Sequence, residues 1–358
     1  MSAAPEFTAF LLRLSARAYA QASLSTLESS RPRLVQTALP ATFAQPEDDL
    51  EVRIQQIACS LLVGAPELLA DALRWYRVAF HHRDVPPEYL PATMQAIEKT
   101  FERELPRESL AAVRQHLAVA MEALEDAPVD MPSFLDRTAP HGDAAMHFLL
   151  ANLEGRGDDA LDIVRKSLAE GVSIADVQDH VLSPAQREAG RMWLMTEIPI
   201  ADEHYGSNIV ERAIWLLQEH VARPPKGAAR VLTMGVAGNL HDLGLRMVAQ
   251  RLQLAGYDVH HLGANMPAGD LEWSLSNREV DVIALSANLL LHLHDLREAV
   301  QTVRKAMASV YGEQHARPIL VGGRPFEIVP DLAARVGADA GVADVREAPS
   351  VVSSLLSK

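Results

Sequence analysis

The chain has 358 residues, 47 acidic against 33 basic side chains, a net charge of −14 and 48% hydrophobic residues. That length holds two or three domains, and the acidic balance excludes bulk nucleic-acid binding, which relies on Lys and Arg to neutralise phosphate. Cys59 stands alone, so an intrachain disulfide and a Cys-rich metal site are excluded; no apolar run reaches transmembrane length, and the opening residues 1–6 lack the charged start of a signal peptide. A cytoplasmic protein with neither nucleic acid nor a membrane as partner is the expectation.

Residues 1–127 read as all-helical, with apolar spacing of helical period over 7–21, 49–62, 67–82, 88–104 and 107–125. Pro86-Pro87 interrupts the pattern at a helix start. About five or six helices in such a length suit a globin-like fold. The stretch 71–90 concentrates Arg74, Trp75, Arg77, His81, His82 and Tyr89. Aromatics for rings and arginines for carboxylates would suit a planar, propionate-bearing ligand, with haem on His81 or His82 as a weaker option. The alternative stays open: Trp75 and Phe80 fill a core, Arg74 and Arg77 are solvated, and His81-His82 cap a helix. Cys59 is a possible thioether site, although its apolar neighbours Ile57, Ala58, Leu61 and Leu62 favour a buried core residue.

A polar, proline-bearing linker at 127–132 leads to a second helical region, 128–223, with helical spacing over 144–153, 159–170, 174–181 and 201–221. His204, Asn208 and Glu211 share one face of the last of these. Trp193 is amphipathic, and a core tryptophan is the plain alternative to a ligand contact; for Glu203-His204 the plain alternative is a solvated helix start.

After the linker 222–227 the pattern changes. Strand-like runs at 230–236, 257–263, 280–287, 318–323 and 338–342 alternate with apolar stretches of helical length. This predicts a parallel sheet covered on both faces, in flavodoxin-like order 2-1-3-4-5. Asn239-Leu240-His241-Asp242-Leu243-Gly244 follows the first strand, Ser286 and Asn288 end the third, and Gly322-Gly323 ends the fourth. All three loops fall on the carboxyl rim, where such sheets bind ligands, and glycines there let a bulky ligand approach the backbone. Three ordinary loops are the alternative.

This rim resembles the cobalamin-binding domain shared by methionine synthase, the corrinoid carrier proteins and the light-sensing cobalamin repressors. Their Asp-x-His-x-x-Gly, Ser-x-Leu-like and Gly-Gly elements stand here as 239–244, 286–288 and 322–323. The resemblance implies that His241 is the lower axial ligand of cobalt, displacing the cofactor's own base, whose nucleotide tail enters beside Ser286, Asn288 and Gly322-Gly323. A family carboxylate would hydrogen-bond the ring; Asn239 stands in its place and can orient the ring without accepting a proton, which implies a weaker or more adjustable bond. Asp242 starts a helix, where a carboxylate suits the dipole.

Residues 182–193 resemble the four-helix bundle that precedes this domain in the family. Trp193, nine residues, then Glu203-His204 is similar to the upper-face signature of the light-sensing repressors. It implies contact with the adenosyl group of adenosylcobalamin and, after photolysis of the Co–C bond, cobalt ligation by His204. No basic helix-turn-helix reader is apparent. A helical domain before this module resembles photocobilins, implying biliverdin as a second chromophore.

The expectation is therefore a multi-domain α plus α/β protein: 1–127 globin-like and bilin-binding, 128–223 a bundle capping the cofactor, 229–358 flavodoxin-like. It would be a non-enzymatic light sensor, signalling through its own oligomeric state or a separate effector. A corrinoid methyl carrier for a methyltransferase and a dark cobalamin or haem sensor are the alternatives.

Overall fold

The computed structural model describes residues 3–37, 39, 45–312 and 317–357. The first helical region contains α1 (Ala3–Leu14), α2 (Ala16–Ser30), α3 (Pro32–Val35), α4 (Pro46–Val63), α5 (Pro66–His81), α6 (Tyr89–Glu104) and α7 (Arg107–Glu125). The single helix expected over 7–21 is two, parted at Ser15, and the second runs on to Ser30. Gly64, in the left-handed region at φ 63, ends α4. Pro66 then starts α5, where a missing N–H costs nothing.

The interior of this region is filled with side chains. Leu50, Ile54, Ile57, Leu73 and Phe101 are fully buried. Among them lies a buried ion pair. Arg53 donates to Asp49 at 2.6 Å and to Gln56 at 3.0 Å, and its guanidinium stacks 3.3 Å from the ring centre of Tyr76. Breaking such a pair leaves one charge stranded in the core, so removing either partner alone is costly. The pair and the apolar side chains occupy the interior that a globin-like chromophore pocket requires.

His116 and Ser60 tie α7 to α4. The Ser60 hydroxyl donates to the Ala65 carbonyl at 3.0 Å and contacts His116 Nδ1 at 2.5 Å, so the ring donates from Nδ1. Burial pushes the His116 imidazole down to about 4, below the unfolded value of about 6.5. The unfolded chain therefore binds the extra proton first. The contribution is fully present above pH 6.5, is lost as pH falls towards 4, and is flat below that. Its size is about 3 kcal/mol. His116→Asn keeps a donor without a titrating ring, so its urea-unfolding free energy should fall less than wild type between pH 7 and 4.5. Equal losses would contradict this assignment.

The second region contains α8 (Gly142–Leu153), α9 (Gly157–Ala169), α10 (Ile174–Val177), α11 (Ser183–Leu194) and α12 (Ile200–Gln218). A π-helical turn, Gln178–Leu182, joins α10 to α11 without a break. Phe148, Val164, Val177, Val181, Ala213 and Leu217 form its core, separate from that of the first region.

The α/β part runs β1 (Arg230–Gly235), α13 (Leu243–Leu254), β2 (Asp258–His261), α14 (Ala268–Ser276), β3 (Val282–Ser286), α15 (Leu293–Tyr311), β4 (Ile319–Gly322), α16 (Arg324–Ile328), α17 (Leu332–Val336), β5 (Ala340–Val342) and α18 (Ala348–Leu356). The sheet has the order β2-β1-β3-β4-β5, and every pair is parallel, as the sequence predicts. Alternate side chains face opposite layers. Val231, Val282, Ala284 and Leu320 pack with Leu252 of α13 and Val352 of α18. Leu232, Met234, Ile283, Leu285 and Val321 face the other way.

That second face shares one continuous core with the first helical region. Ion pairs and caps reinforce the contact: Arg324 reaches Asp71 at 2.8 Å and Arg335 donates to the Gly64 carbonyl at 2.6 Å. The second helical region sits instead on α13. Gln250 of α13, 2% exposed, donates to the Ile214 carbonyl at 2.7 Å and accepts from Gln178 at 2.6 Å. Both helical regions therefore meet the sheet, on different layers. Among the described residues no helix is long and apolar enough to cross a membrane.

Candidate functional site

A cavity of about 1090 Å³ opens between α11, the π-helical turn and the carboxyl rim of the sheet. His241 stands at its wall, on the loop between β1 and α13. Ser286, Asn288, Gly322, Gly323 and Gly244 also line it, so the structure brings these sequence-singled residues together. The π-helical turn contributes Asp179 and His180, and α11 contributes Ser183 and Arg187; single π turns of this kind often mark functional sites. Arg187 pairs with Glu327 of α16 at 3.2 Å, linking the second region to the sheet rim.

The His241 loop is fixed through its backbone. The His241 N–H donates to Asn239 Oδ1 at 3.2 Å, and its carbonyl accepts from Asn288 Nδ2 at 2.6 Å. Asn239, fully buried, donates from Nδ2 to the Ser286 carbonyl at 3.0 Å. Its amide therefore braces the loop against the end of β3, and does not orient the imidazole as expected. Among the described residues no hydrogen bond reaches the His241 ring. Loss of hydration lowers its pKa, opposed by the charge of Glu203. A neutral, unpartnered imidazole offers a lone pair to a metal. Asp242 starts α13 and pairs with Arg246 at 2.9 Å, which also meets Glu211 of α12 at 3.3 Å.

Beyond His241 the cavity continues into an apolar slot lined by Leu245, Val248, Ala284, Leu320, Val342 and Ala348. Gly323 has φ 120, and a Cβ there would lie 2.2 Å from the Ala287 carbonyl oxygen. An added Cβ on Gly322 would lie 3.0 Å from the Val342 carbonyl oxygen. These dimensions and donors fit a corrinoid: an imidazole for cobalt, a glycine-lined floor, and an apolar slot for the tail.

The expected cap takes a different place. Trp193 does not line the cavity; it is half-buried between the two helical regions. Its ring centre is 6.0 Å from that of Trp75, and the Arg83 guanidinium lies 5.4 Å over it. Arg83 also donates to the carbonyls of Trp193 at 2.9 Å and Leu194 at 2.6 Å, ending α11. Thr196 follows at φ 62, an unusual conformation for a β-branched residue, and donates to the His82 carbonyl at 2.9 Å. Glu203 accepts from Gln186 at 3.0 Å and Ser207 at 2.8 Å, and pairs with His204 Nδ1 at 2.8 Å. The His204 side chain is 70% exposed.

The residues expected to hold a bilin are engaged elsewhere. Arg74 and Arg77 donate to the carbonyls of Ala123 and Leu124 at the end of α7, at 3.4 and 2.6 Å. His82 meets the Val129 carbonyl and Asp130, each at 3.1 Å, with the exposed His81 ring beside it. Trp75 packs on Trp193, and Tyr89 is fully buried beside Asp49, its phenol pushed up by burial. These six side chains do not converge on one pocket. Cys59 is buried, its thiol pushed up to about 12, and donates to the Leu291 carbonyl at 3.7 Å; that surrounding suits packing and not a thioether.

Sequence reasoning missed His292. It lies in the 3₁₀ turn Leu290–His292 after β3, is 7% exposed, and accepts at Nδ1 from the Leu289 N–H at 3.2 Å. Burial and the nearby His241 push it down to about 4. His292 and His294 stand two apart in an apolar run, and nothing in that spacing singles out the first.

Comparison with known proteins agrees with this geometry. Residues 229–352 match the model of the B12 binding domain, and residues 147–218 match a second B12 binding domain model. The fold and site thus define a cobalamin-binding protein. Similar proteins include dimethylamine corrinoid protein 3 of Methanosarcina acetivorans, 24% identical over 200 residues that are 56% of this chain and 90% of that one. A corrinoid protein of Desulfitobacterium hafniense is 22% identical, across 58% of this chain and 95% of its own. The solved monomethylamine corrinoid protein of Methanosarcina barkeri has the same fold, with TM-score 0.50 and 18% identity over 59% of this chain and 98% of its own.

Proposed function

We propose that this chain is a corrinoid carrier: it holds cobalamin from below through His241 and leaves the upper side accessible to a separate enzyme that transfers methyl groups. The observation that carries this reading is the position of Trp193. Held by Trp75 and Arg83 outside the cavity, it does not close over His241. The relatives named as dimethylamine corrinoid proteins support the same role.

Bound cobalamin supplies a cobalt centre that takes and gives up a one-carbon group. The protein's part is to bind and orient. His241 presents its nitrogen, Asn239 and Asn288 fix its backbone, and the apolar slot would keep water from the tail. Arg187 and Glu327 hold the second helical region against the sheet rim.

A second reading rests on the Glu203–His204 pair. A carboxylate on Nδ1 fixes the tautomer that leaves Nε2 ready for a metal. In that reading the cofactor would be adenosylcobalamin, whose cobalt–carbon bond light can break, and His204 would be the residue to hold the cobalt afterwards. No bilin enters either reading.

One experiment separates them. The carrier reading expects hydroxo-, methyl- and adenosylcobalamin to bind the full chain within about threefold of one another, with unchanged molecular mass after illumination. An adenosyl preference above tenfold, with a light-dependent change in mass, would overturn it in favour of the second reading.

A further inference from the structure

We propose that His292 is a positioning residue for the lower-ligand loop, aiming the His241 imidazole at cobalt. This rests on the reading of His241 as the axial ligand. His241's ring has no hydrogen-bond partner among the described residues, so its aim depends on its backbone. Two segments hold that backbone from the β3 side. Asn288 takes the His241 carbonyl at 2.6 Å. The other is the 3₁₀ turn that carries His292.

The proton on His292 can be placed by elimination. Nδ1 accepts from the Leu289 N–H at 3.2 Å, so the neutral ring carries its hydrogen on Nε2. That edge faces Gly238: a Cβ built on Gly238 would lie 3.7 Å from Cδ2 and 3.9 Å from Nε2. The Gly238 N–H already donates to Asn265 Oδ1 at 2.8 Å, so its carbonyl is the Gly238 group left free to take the Nε2 hydrogen. Gly238 sits at φ 77, three residues before His241. The imidazole thus links the Leu289 backbone to the bend from which His241 projects. A side chain 7% exposed, bonded at Nδ1 and packed at its other edge against Gly238, is a stiff strut.

The same turn is where the first helical region leans on the sheet. Cys59 of α4 donates to the Leu291 carbonyl, next to His292. Packing of that region is thereby transmitted to the lower-ligand loop.

The test uses the full chain as wild type and as His292→Ala, His292→Gln and His292→Asn. Each is loaded with aquocobinamide, a corrinoid that lacks the nucleotide base, and reduced to the cobalt(II) form at pH 7, so that an axial nitrogen can come only from the protein. Nitrogen splitting in the electron paramagnetic resonance spectrum reports the axial imidazole, and equilibrium dialysis reports affinity. Gln keeps a donor for Gly238; Asn keeps only the acceptor for Leu289. The proposal expects alanine to lose most of the nitrogen-split signal and bind about tenfold more weakly. Gln should restore the signal and Asn should not. A wild-type signal in the alanine variant, or Gln no better than Asn, overturns it. If alanine fails to fold, the Gln and Asn pair decides. His241→Ala separates the two levels: nitrogen splitting retained in that variant would sink the axial-ligand reading itself.

Discussion

His241→Ala is expected to give a protein that folds like wild type and binds cobalamin at least tenfold to a hundredfold more weakly. The two halves of this expectation have separate causes. The imidazole makes no hydrogen bond within the described residues and is exposed to the cavity, so truncating it strands no partner and opens no core void. Surface truncations of that kind usually change stability by about 0.5 kcal/mol or less. The backbone contacts of the loop, through Asn239 and Asn288, do not involve the ring and remain. Binding has no such reserve. Partners that merely orient a ligating histidine are worth about ten- to a hundredfold in metal affinity, and the ligand itself contributes at least that. The checks are a thermal melt of the apoprotein and equilibrium dialysis with hydroxocobalamin. Unchanged affinity would remove His241 from the site; a large fall in melting temperature would mean that the ring supports the fold.

What the sequence disclosed and what it hid follow one physical division. The sheet was legible because a parallel strand buried on both faces must be apolar at nearly every position, and Val231 to Val236 or Val282 to Ala287 meet that demand locally. His241, Ser286 and Gly322-Gly323 were legible because strand ends in this topology converge without further information. The direction of a side chain depends on partners far along the chain, and there local reasoning failed. Asn239 was read as a substitute for a ring-orienting carboxylate, yet its amide is consumed by the Ser286 carbonyl, 47 positions away. A carboxylate there would set two acceptors against each other, so the loop is built for an amide. Trp193 was read as a cap over the cofactor. Arg83, 110 positions earlier, draws it into the joint between the helical regions.

The first helical region shows the same limit more sharply. Its helices were visible in the periodicity of 49–62 through 107–125. Its purpose was read from the mixture of Arg74, Trp75, Arg77, His81, His82 and Tyr89, and composition cannot tell a ligand-binding arginine from one that ends a helix. Arg77 at 2.6 Å from the Leu124 carbonyl is of the second kind. Its contacts with the α/β part include α4 against the 3₁₀ turn before α15 and against α17, and α5 against α16. A region joined to the sheet by one continuous core belongs mechanically to the cofactor domain.

Gly323→Ala is expected to have the opposite profile to His241→Ala, losing fold and binding together. Gly323 has φ 120 and ψ 176, a region that residues with a Cβ scarcely enter. Its added Cβ would lie 2.2 Å from the Ala287 carbonyl oxygen and 2.8 Å from Asn288 Oδ1. The Ala287 N–H donates to the Gly322 carbonyl at 3.0 Å, extending the register of β3 and β4, so that backbone cannot retreat without breaking the sheet. Asn288 cannot retreat without releasing the His241 carbonyl. The strain is therefore carried from the floor of the cavity to the axial ligand. Strain of this kind costs about 1–3 kcal/mol, and the overlap adds to it. Gly244→Ala is the matched control. Gly244 also lines the cavity, lies in the first turn of α13, and has no atom within 4 Å of its added Cβ. Urea unfolding should therefore leave Gly244→Ala at or slightly above wild type and put Gly323→Ala at least about 3 kcal/mol below it. If both variants unfolded like wild type, the tight turn after β4 would not be the element that braces His241.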